Sequence, residues 1–456
     1  MEPSGTLVAS DKTAPMMFHK KRLISSDPRE TLVSLFEHNV FSRLALAPSA
    51  NKPFVVTEWN DTFPTGYYAD AMLLTTAYAS LNDWDGMMLF AYGGVSAEPE
   101  TPPSGIKGYF SLNNDPGTWG QFGICAAIFQ EGLIRRGNNS IDLAYTAEDI
   151  FSLAQNWMSP YGYLPFVSNM RNAYLMDADK AYKGNADLVI SSGFTPTGDY
   201  TSVKHALVYS RSPYSDTTHK TRGKAAFLNA YRSENGEPIM VNAAWQRLHK
   251  IGTISDKFAV LDDERPIDKM YKVYSEIVDQ CMKHWGLIDQ EKGLCPAGKI
   301  ISDTGEMEYA YRDGYLRINT DRVQAYIGKV GFREVEIGRF SVKLDNDYMT
   351  VSFFSKDGKS LGDSGHVLMQ AVGAVENSGM VWDENKLLNI GHGPVLIDQA
   401  RGELYIDGAL SVKAYVLDGE GNRTGELTTE KDDNGVKIIL DGNTAAISYE
   451  LIIERK

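Results

Sequence analysis

The residue types best suited to chemistry gather between Lys52 and Tyr92, in the stretch KPFVVTEWNDTFPTGYYADAMLLTTAYASLNDWDGMMLFAY. Glu58 is its centre. Phe54, Val55 and Val56 form an apolar, partly β-branched run that predicts a strand covered on both faces, and the run stops at Thr57-Glu58-Trp59-Asn60. The carboxylate therefore falls at the C-terminal end of a strand. Barrel enzymes do their chemistry at that end, and a carboxylate placed there can serve as nucleophile or general base. The competing reading is a solvated or ion-paired Glu, so the surrounding elements must decide.

A loop with Pro64 and Gly66 follows Glu58, and then Ala71, Leu74, Thr75, Tyr78 and Leu81 recur at helical spacing. After Asp83-Trp84-Asp85-Gly86, a second apolar run from Met87 to Tyr92 predicts another buried strand. This is a β-α-β unit, whose strands should be parallel. Thr57-Glu58-Trp59-Asn60 ending one strand, a helix, and Trp84-Asp85-Gly86 leading into Phe90-Ala91-Tyr92 resemble the seventh and eighth strands of the clan A retaining glycoside hydrolases. The resemblance implies that Glu58 is the catalytic nucleophile and that Trp59, Asn60, Trp84 and Tyr92 belong to a sugar-binding rim. It also implies a carbohydrate substrate, no cofactor, and a glycosyl-enzyme released by water with a second carboxyl group acting as acid and then base.

The departures from that family are equally informative. Only 57 residues precede Glu58, whereas a complete eight-stranded barrel takes about 250 residues. In the family the acid/base is a Glu following Asn upstream of the nucleophile, and no Asn-Glu pair occurs in this sequence. The expectation is therefore a partial (β/α)8 TIM-barrel remnant over residues 1–137, the C-terminal portion of a glycosidase whose upstream half and acid/base lie outside the chain. A truncated product, a partial reading frame and a subunit completed by a second polypeptide all fit. An uncovered strand edge at Phe54 predicts self-association or such a partner.

The remaining elements are read in order. One amphipathic helix is predicted from Arg29 to Leu46, and a loop rich in Gly, Pro and Ser runs from Gly93 to Gly108. Asp115-Pro116-Gly117-Thr118-Trp119 begins a capped helix with Phe122, Cys125, Ala126, Phe129 and Leu133 as its apolar stripe. Trp119 is assigned either to the sugar rim or to helix packing. Residues 138–296 read as a mixed α/β connector, with helices at Ala147 to Met158 and Pro266 to Trp285 and short strands at Asp187 to Ile190, His205 to Tyr209 and Lys257 to Leu261. Residues 297–456 alternate apolar and polar positions between regular turn signals, the pattern of an antiparallel β-sandwich. The fold class is thus α/β plus all-β, with the sandwich expected to be separable near Pro296-Ala297-Gly298.

Composition excludes several partners. A formal charge of −14 argues against nucleic acid, which needs clustered Lys and Arg. The sequence contains no apolar run of about 18 residues, so no membrane span is expected. The opening MEPSGTLVASDK carries no export signal. Cys125, Cys281 and Cys295 have no metal spacing and read as reduced or buried thiols, and His366 and His392 lack the companions of a zinc site, so no metal is expected. Ser364, in Gly-Asp-Ser-Gly, reads as a turn residue because strands rather than a strand-to-helix elbow surround it. A non-catalytic carbohydrate-binding or assembly module remains the alternative function.

Overall fold

The structure is a computed structural model and describes residues 40–61, 63–64, 69–92, 105–108, 110–147, 150, 162–191, 198–200, 202–209, 228–232, 238–239, 278–295, 297–383, 386–443 and 446–455. The expected strand at Lys257 to Leu261 lies outside these residues, as do most of the helix at Ala147 to Met158, most of the loop from Gly93 to Gly108, and the first parts of the helices begun at Arg29 and Pro266. Strands dominate the described fold.

The N-terminal elements are α1 (Val40–Leu44), β1 (Val55–Trp59), α2 (Ala69–Leu81) and β2 (Gly86–Leu89). β1 and β2 pair in parallel, as the β-α-β reading requires. Two details depart from the sequence reading. In β1 only Val56 and Trp59 are buried, while Val55, Thr57 and Glu58 face solvent, so the strand is covered on one side rather than both. Among the described residues β1 and β2 form a sheet of two strands, which is less than a barrel segment. Conversely, every residue of α2 except Ser80 is buried. A helix apolar all round sits inside a core, and α2 does. Tyr78 packs against Phe41 and Phe166 at ring distances of 5.3 and 4.7 Å. Asn82 ends the helix by donating to the carbonyls of Tyr78 and Pro165 and accepting from the Met170 amide, which ties α2 to the next sheet.

Helices α3 (Pro116–Trp119) and α4 (Phe122–Glu131) lead into a second sheet, with α5 (Leu164–Val167) between its first two strands. Its strands are β3 (Ser140–Thr146), β4 (Asn169–Leu175), β5 (Leu188–Ser191), β6 (His205–Tyr209), β7 (Leu228–Arg232) and β8 (Pro238–Ile239), in the order β4-β3-β5-β6-β7-β8. The first four in that order pair in parallel, β7 pairs antiparallel with β6, and β8 pairs antiparallel with β7. The connector is thus an open sheet whose strand order reverses between β3 and β5, the doubly wound pattern. The strands read at Asp187 to Ile190 and at His205 to Tyr209 are present as β5 and β6. β3 and β4 escaped the sequence reading because polar residues interrupt them. Asp142, fully buried in β3, is matched by Arg171 of β4 at 2.8 Å and by the Tyr182 hydroxyl at 2.6 Å.

The C-terminal half is two packed sheets. The larger contains β9 (Gly293–Cys295), β10 (Lys299–Ile301), β11 (Met307–Ala310), β12 (Tyr315–Asn319), β13 (Val323–Lys329), β16 (Tyr348–Ser355), β17 (His366–Val372), β23 (Ala409–Leu417), β24 (Arg423–Glu426) and β27 (Ser448–Arg455). The smaller contains β14 (Glu334–Ile337), β15 (Phe340–Leu344), β22 (Gly402–Asp407), β25 (Thr429–Lys431) and β26 (Gly435–Leu440). Two hairpin pairs stand apart from both sheets, β18 (Val375–Ser378) with β21 (His392–Ile397) and β19 (Val381–Asp383) with β20 (Lys386–Asn389). The sandwich reading holds. Its strands are joined by tight turns, in two of which Asp418 and Asp432 accept backbone amides.

The expected separability of the sandwich does not follow, because β10 to β13 bury one face in a core shared with the N-terminal elements. Ala310, Tyr315 and Tyr326 point into the sandwich core, whereas Ile300, Met307, Tyr309, Leu316, Ile318 and Ile327 point into the core built around α2. Tyr309 lies 5.2 Å from Phe166 and 6.2 Å from Tyr78 between ring centres. A polar joint reinforces this contact. The Asp303 carboxylate, 2% exposed, accepts from the Asn138 and Asn139 amides at 3.0 and 2.8 Å, from Asn139 Nδ2 at 2.9 Å and from Ser168 Oγ at 2.6 Å. Asp303→Ala is expected to cost about 3–5 kcal/mol, since these donors would stay buried without an acceptor. Arg136→Ala, which breaks an exposed pair with Asp83, is expected to cost less than about 1 kcal/mol. Thermal melts of the two variants check the ranking.

Candidate active site

The register of the β1–β2 pair brings their C-terminal ends together. Val55 and Val56 face Gly86 and Met87, the register then shifts, and Trp59 faces Leu89. An irregularity of this kind re-aims a side chain, and Glu58 sits on it, exposed. Among the described residues no hydrogen-bonding or ion-pair partner engages its carboxylate. Glu58 thus stands solvent-exposed at the strand end.

Beyond Glu58 the two strand ends are locked. The Phe90 amide donates to the Trp59 carbonyl at 2.9 Å, and Asn60 Nδ2 donates to the carbonyls of Phe90 at 2.8 Å and Phe110 at 3.3 Å. Asn60 is 8% exposed, so the structure gives it a positioning task instead of a place on the rim. Ala91, joined to Phe90 by a cis peptide, pairs through its backbone with Phe110 and Leu112. Tyr92 emerges from this frame 68% exposed.

Trp119 comes to meet it. Asp115 caps α3 by accepting from the Gly117 and Thr118 amides, and Gln121 donates to the carbonyls of Ala69 and Gly117, which fixes the α3–α4 corner onto α2. Trp119 thereby stands 45% exposed with its ring 5.2 Å from that of Tyr92. Phe122 stacks on Trp119 at 5.0 Å and 23°. Three aromatic side chains form one open platform at the end of the sheet that carries Glu58. Phe122 escaped the sequence reading, which placed it in the apolar stripe of the helix. Its signal was the three-residue spacing from Trp119, which sets both rings on one side of the α3–α4 corner.

Trp59 and Trp84 are corrected. They are 3% and 5% exposed and belong to the core, where Trp84 stacks on Phe41 at 5.4 Å and meets Phe54 edge-on at 5.1 Å. Inward-pointing indoles at these positions hold the β-α-β unit together and cannot line an open rim. Of the residues singled out in the sequence, the structure thus brings Glu58, Tyr92 and Trp119 to one end of the sheet and withdraws Trp59, Asn60 and Trp84 into its support.

Other chemically suggestive groups are engaged elsewhere. Ser364 donates to Asp357, while the His366 ring pairs with Glu450 at 2.7 Å, so the two do not form a nucleophile and base. Cys125 and Cys281 are buried, and burial pushes each thiol up to about 12. Among the described residues no group of three or more His, Cys, Asp or Glu side chains could hold a metal, and no helix is long and apolar enough to cross a membrane.

The Asp357 turn supplies a pH prediction. Burial works against its charge, but hydrogen bonds from Ser364, from the Gly365 and Lys359 amides and from Ser355 outweigh it and hold the carboxyl at about 2. A carboxyl lowered on folding stabilises the fold above its unfolded pKa of about 3.9, and that contribution disappears as pH falls through about 2. Asp357→Asn should melt below the wild type at neutral pH, and the gap should close as pH approaches about 2. A gap that does not vary with pH would mean that the turn draws nothing from the charge. Compared with protein-family models, curated proteins and solved structures, the chain gives no significant match in any of the three.

Proposed function

We propose that this chain carries the nucleophile and a sugar platform of a retaining β-glycosidase acting on poly- or oligosaccharides. The observation that carries the proposal is the open Glu58 carboxylate at the C-terminal end of a parallel strand pair, with the Tyr92, Trp119 and Phe122 rings exposed at the same end. Aromatic faces exposed in a cluster suit the apolar faces of pyranose rings, and an unpartnered carboxylate is free to attack the anomeric carbon. Glu58 Oε would form the ester bond as the glycosidic bond breaks and the aglycone leaves with the electron pair. Water would then release the sugar.

Dinitrophenyl 2-deoxy-2-fluoro-β-glycosides of glucose, galactose, mannose and xylose test this step, because dinitrophenolate leaves without acid assistance and the fluorine slows release. The expected result is a fluoroglycosyl adduct on the peptide containing Glu58, absent in Glu58→Gln. Binding of oligosaccharides without any adduct would select the alternative, a non-catalytic carbohydrate-binding module. That alternative draws on the lack of an Asn-Glu pair in the sequence, the pair that supplies the acid/base in the clan A family.

A further inference from the structure

A cleft of about 630 Å³ opens where the two halves of the chain meet. One wall is the segment just after α4, and the other is built from turns of the sandwich, those between β10 and β11, β12 and β13, and β14 and β15, with part of the connection after β16. The volume falls within the range of about 300–1,000 Å³ usual for small-molecule sites. Phe122 of the aromatic platform begins α4 and the cleft lies past its end, so ten helical residues, about 15 Å, separate the two places.

Apart from Leu133 and its glycines, the cleft is lined by polar residues, and three of them are arginines in a chain of formal charge −14. Each guanidinium is pinned by one carboxylate. Arg135 pairs with Glu306, Arg322 with Glu131 at 2.9 Å and Arg339 with Asp407 at 3.2 Å, and Arg322 also lies 5.6 Å from the centre of the Phe354 ring. A guanidinium carries five N–H donors in a fixed fork, so each keeps donors beyond its pair. Asn319 accepts from Gln324 Nε2 through its Oδ1 and keeps its own amide donors. Against these stands one open acceptor, the exposed Asp321, whose carboxylate has no hydrogen-bonding or ion-pair partner among the described residues.

The base of the cleft is firm. Gln324, 8% exposed, donates to Asn319 Oδ1 at 3.0 Å and accepts from the Arg339 amide at 3.2 Å, which ties the turn of the large sheet to the turn of the small one. Gly338 has a φ of +64°, and a Cβ there would stand 2.2 Å from the Gln324 side-chain amide, so this seating requires glycine. The cleft therefore holds fixed, unsaturated donors of the geometry that grips a carboxylate, beside a carboxylate and an amide that suit hydroxyl groups.

We propose that this cleft is a second ligand site, which binds a sugar acid, free or as a unit of an acidic polysaccharide, with the ligand carboxylate on Arg322 and Arg339 and its hydroxyls on Asp321 and Asn319. It stands independently of the Glu58 reading. Calorimetry on the full chain tests it with glucuronate, galacturonate and tetragalacturonate, against glucose, galactose and neutral tetrasaccharides, and against propionate as a carboxylate without hydroxyls. The uronates should bind, more weakly as salt is raised, and both the neutral sugars and propionate should bind at least about tenfold more weakly. Arg322→Gln and Arg339→Gln should each lower uronate affinity about tenfold, Arg339→Lys should recover only part of it because the fork is lost, and Glu58→Gln should leave it unchanged. Melting temperatures near that of the wild type show that these variants are folded. Tetragalacturonate bound more tightly than galacturonate supports the site and assigns it to a polysaccharide, and equal affinities support it and assign it to the free sugar acid. The proposal is overturned if no uronate binds, if neutral sugars bind as well, or if uronate affinity survives both Arg→Gln changes. Uronate affinity lost in Glu58→Gln alone also overturns it and places the ligand at the Glu58 end of the chain.

Discussion

A chain cut to residues 297–456 is expected to aggregate instead of melting as a cooperative β domain. The sequence reading leads to the opposite outcome, because a sandwich of that size can enclose a core. The difference lies in one face of the large sheet. Met307, Tyr309, Leu316, Ile318 and Ile327 are fully buried in the whole chain, yet they lie in the core shared with α2 and α5, not between the two sheets. Each such side chain contributes about 1.5–3 kcal/mol when buried. Exposing this group removes stabilisation comparable with that of a whole domain, about 5–15 kcal/mol, and leaves a flat apolar patch. The cut also removes β9 from the edge and deletes the donors that Asp303 engages. Size-exclusion chromatography and dye binding to exposed apolar surface check this directly. A monomeric, cooperatively melting fragment would show that the shared face contributes little.

The second large effect concerns the leaving group. Turnover of aryl β-glycosides by the purified chain is expected to depend steeply on aglycone acidity, with dinitrophenyl glycosides cleaved at least about a hundredfold faster than unactivated oligosaccharides of the same sugar. General acid assistance is worth about a hundred to ten thousandfold, and the sequence contains no Asn-Glu pair of the kind that supplies it in the clan A family. Glu58→Gln should abolish both activities, because an amide cannot form the ester intermediate. Comparable rates on both substrate types, lost together in Glu58→Gln, would place a general acid within this chain. A Glu58→Gln variant of full activity would remove the glycosidase reading altogether.

The comparison of Glu58 with its neighbours shows what was legible in the residues alone. The parallel strand pair, the helix between them, the strands of the sandwich and the Asp-rich turns all follow from local pattern, since side-chain periodicity and turn chemistry act within a few residues. The position of Glu58 at a strand end belongs to that class. Which aromatic side chains face the site does not. Trp59 and Trp84 stand close to Glu58 and Gly86 in the sequence but point into the core, while Trp119 and Phe122 are exposed on a helix corner fixed by Gln121. The side of a strand that is buried depends on what packs there, and the packing partners of β1 and of β10 to β13 come from elements far away in sequence.

The same reason accounts for the remaining differences. An apolar run such as Phe54 to Val56 states that a strand will form, but only the neighbouring layers decide whether one face or both are covered. Alternation in the sandwich strands states that one face is apolar, yet polar and apolar positions on the opposite face of β12 and β13 become distinguishable only once α2 and Phe166 are set against them. The buried Asp142 and Asp303 look like surface residues until Arg171, Tyr182, Asn139 and Ser168 supply their partners. By itself the sequence determined the kinds of elements and the carboxylate at a strand end, because those depend on short-range sterics and periodicity. The tertiary structure decided which faces are buried, which aromatics are open and how the two halves of the chain share a core, because those depend on contacts that local pattern does not encode.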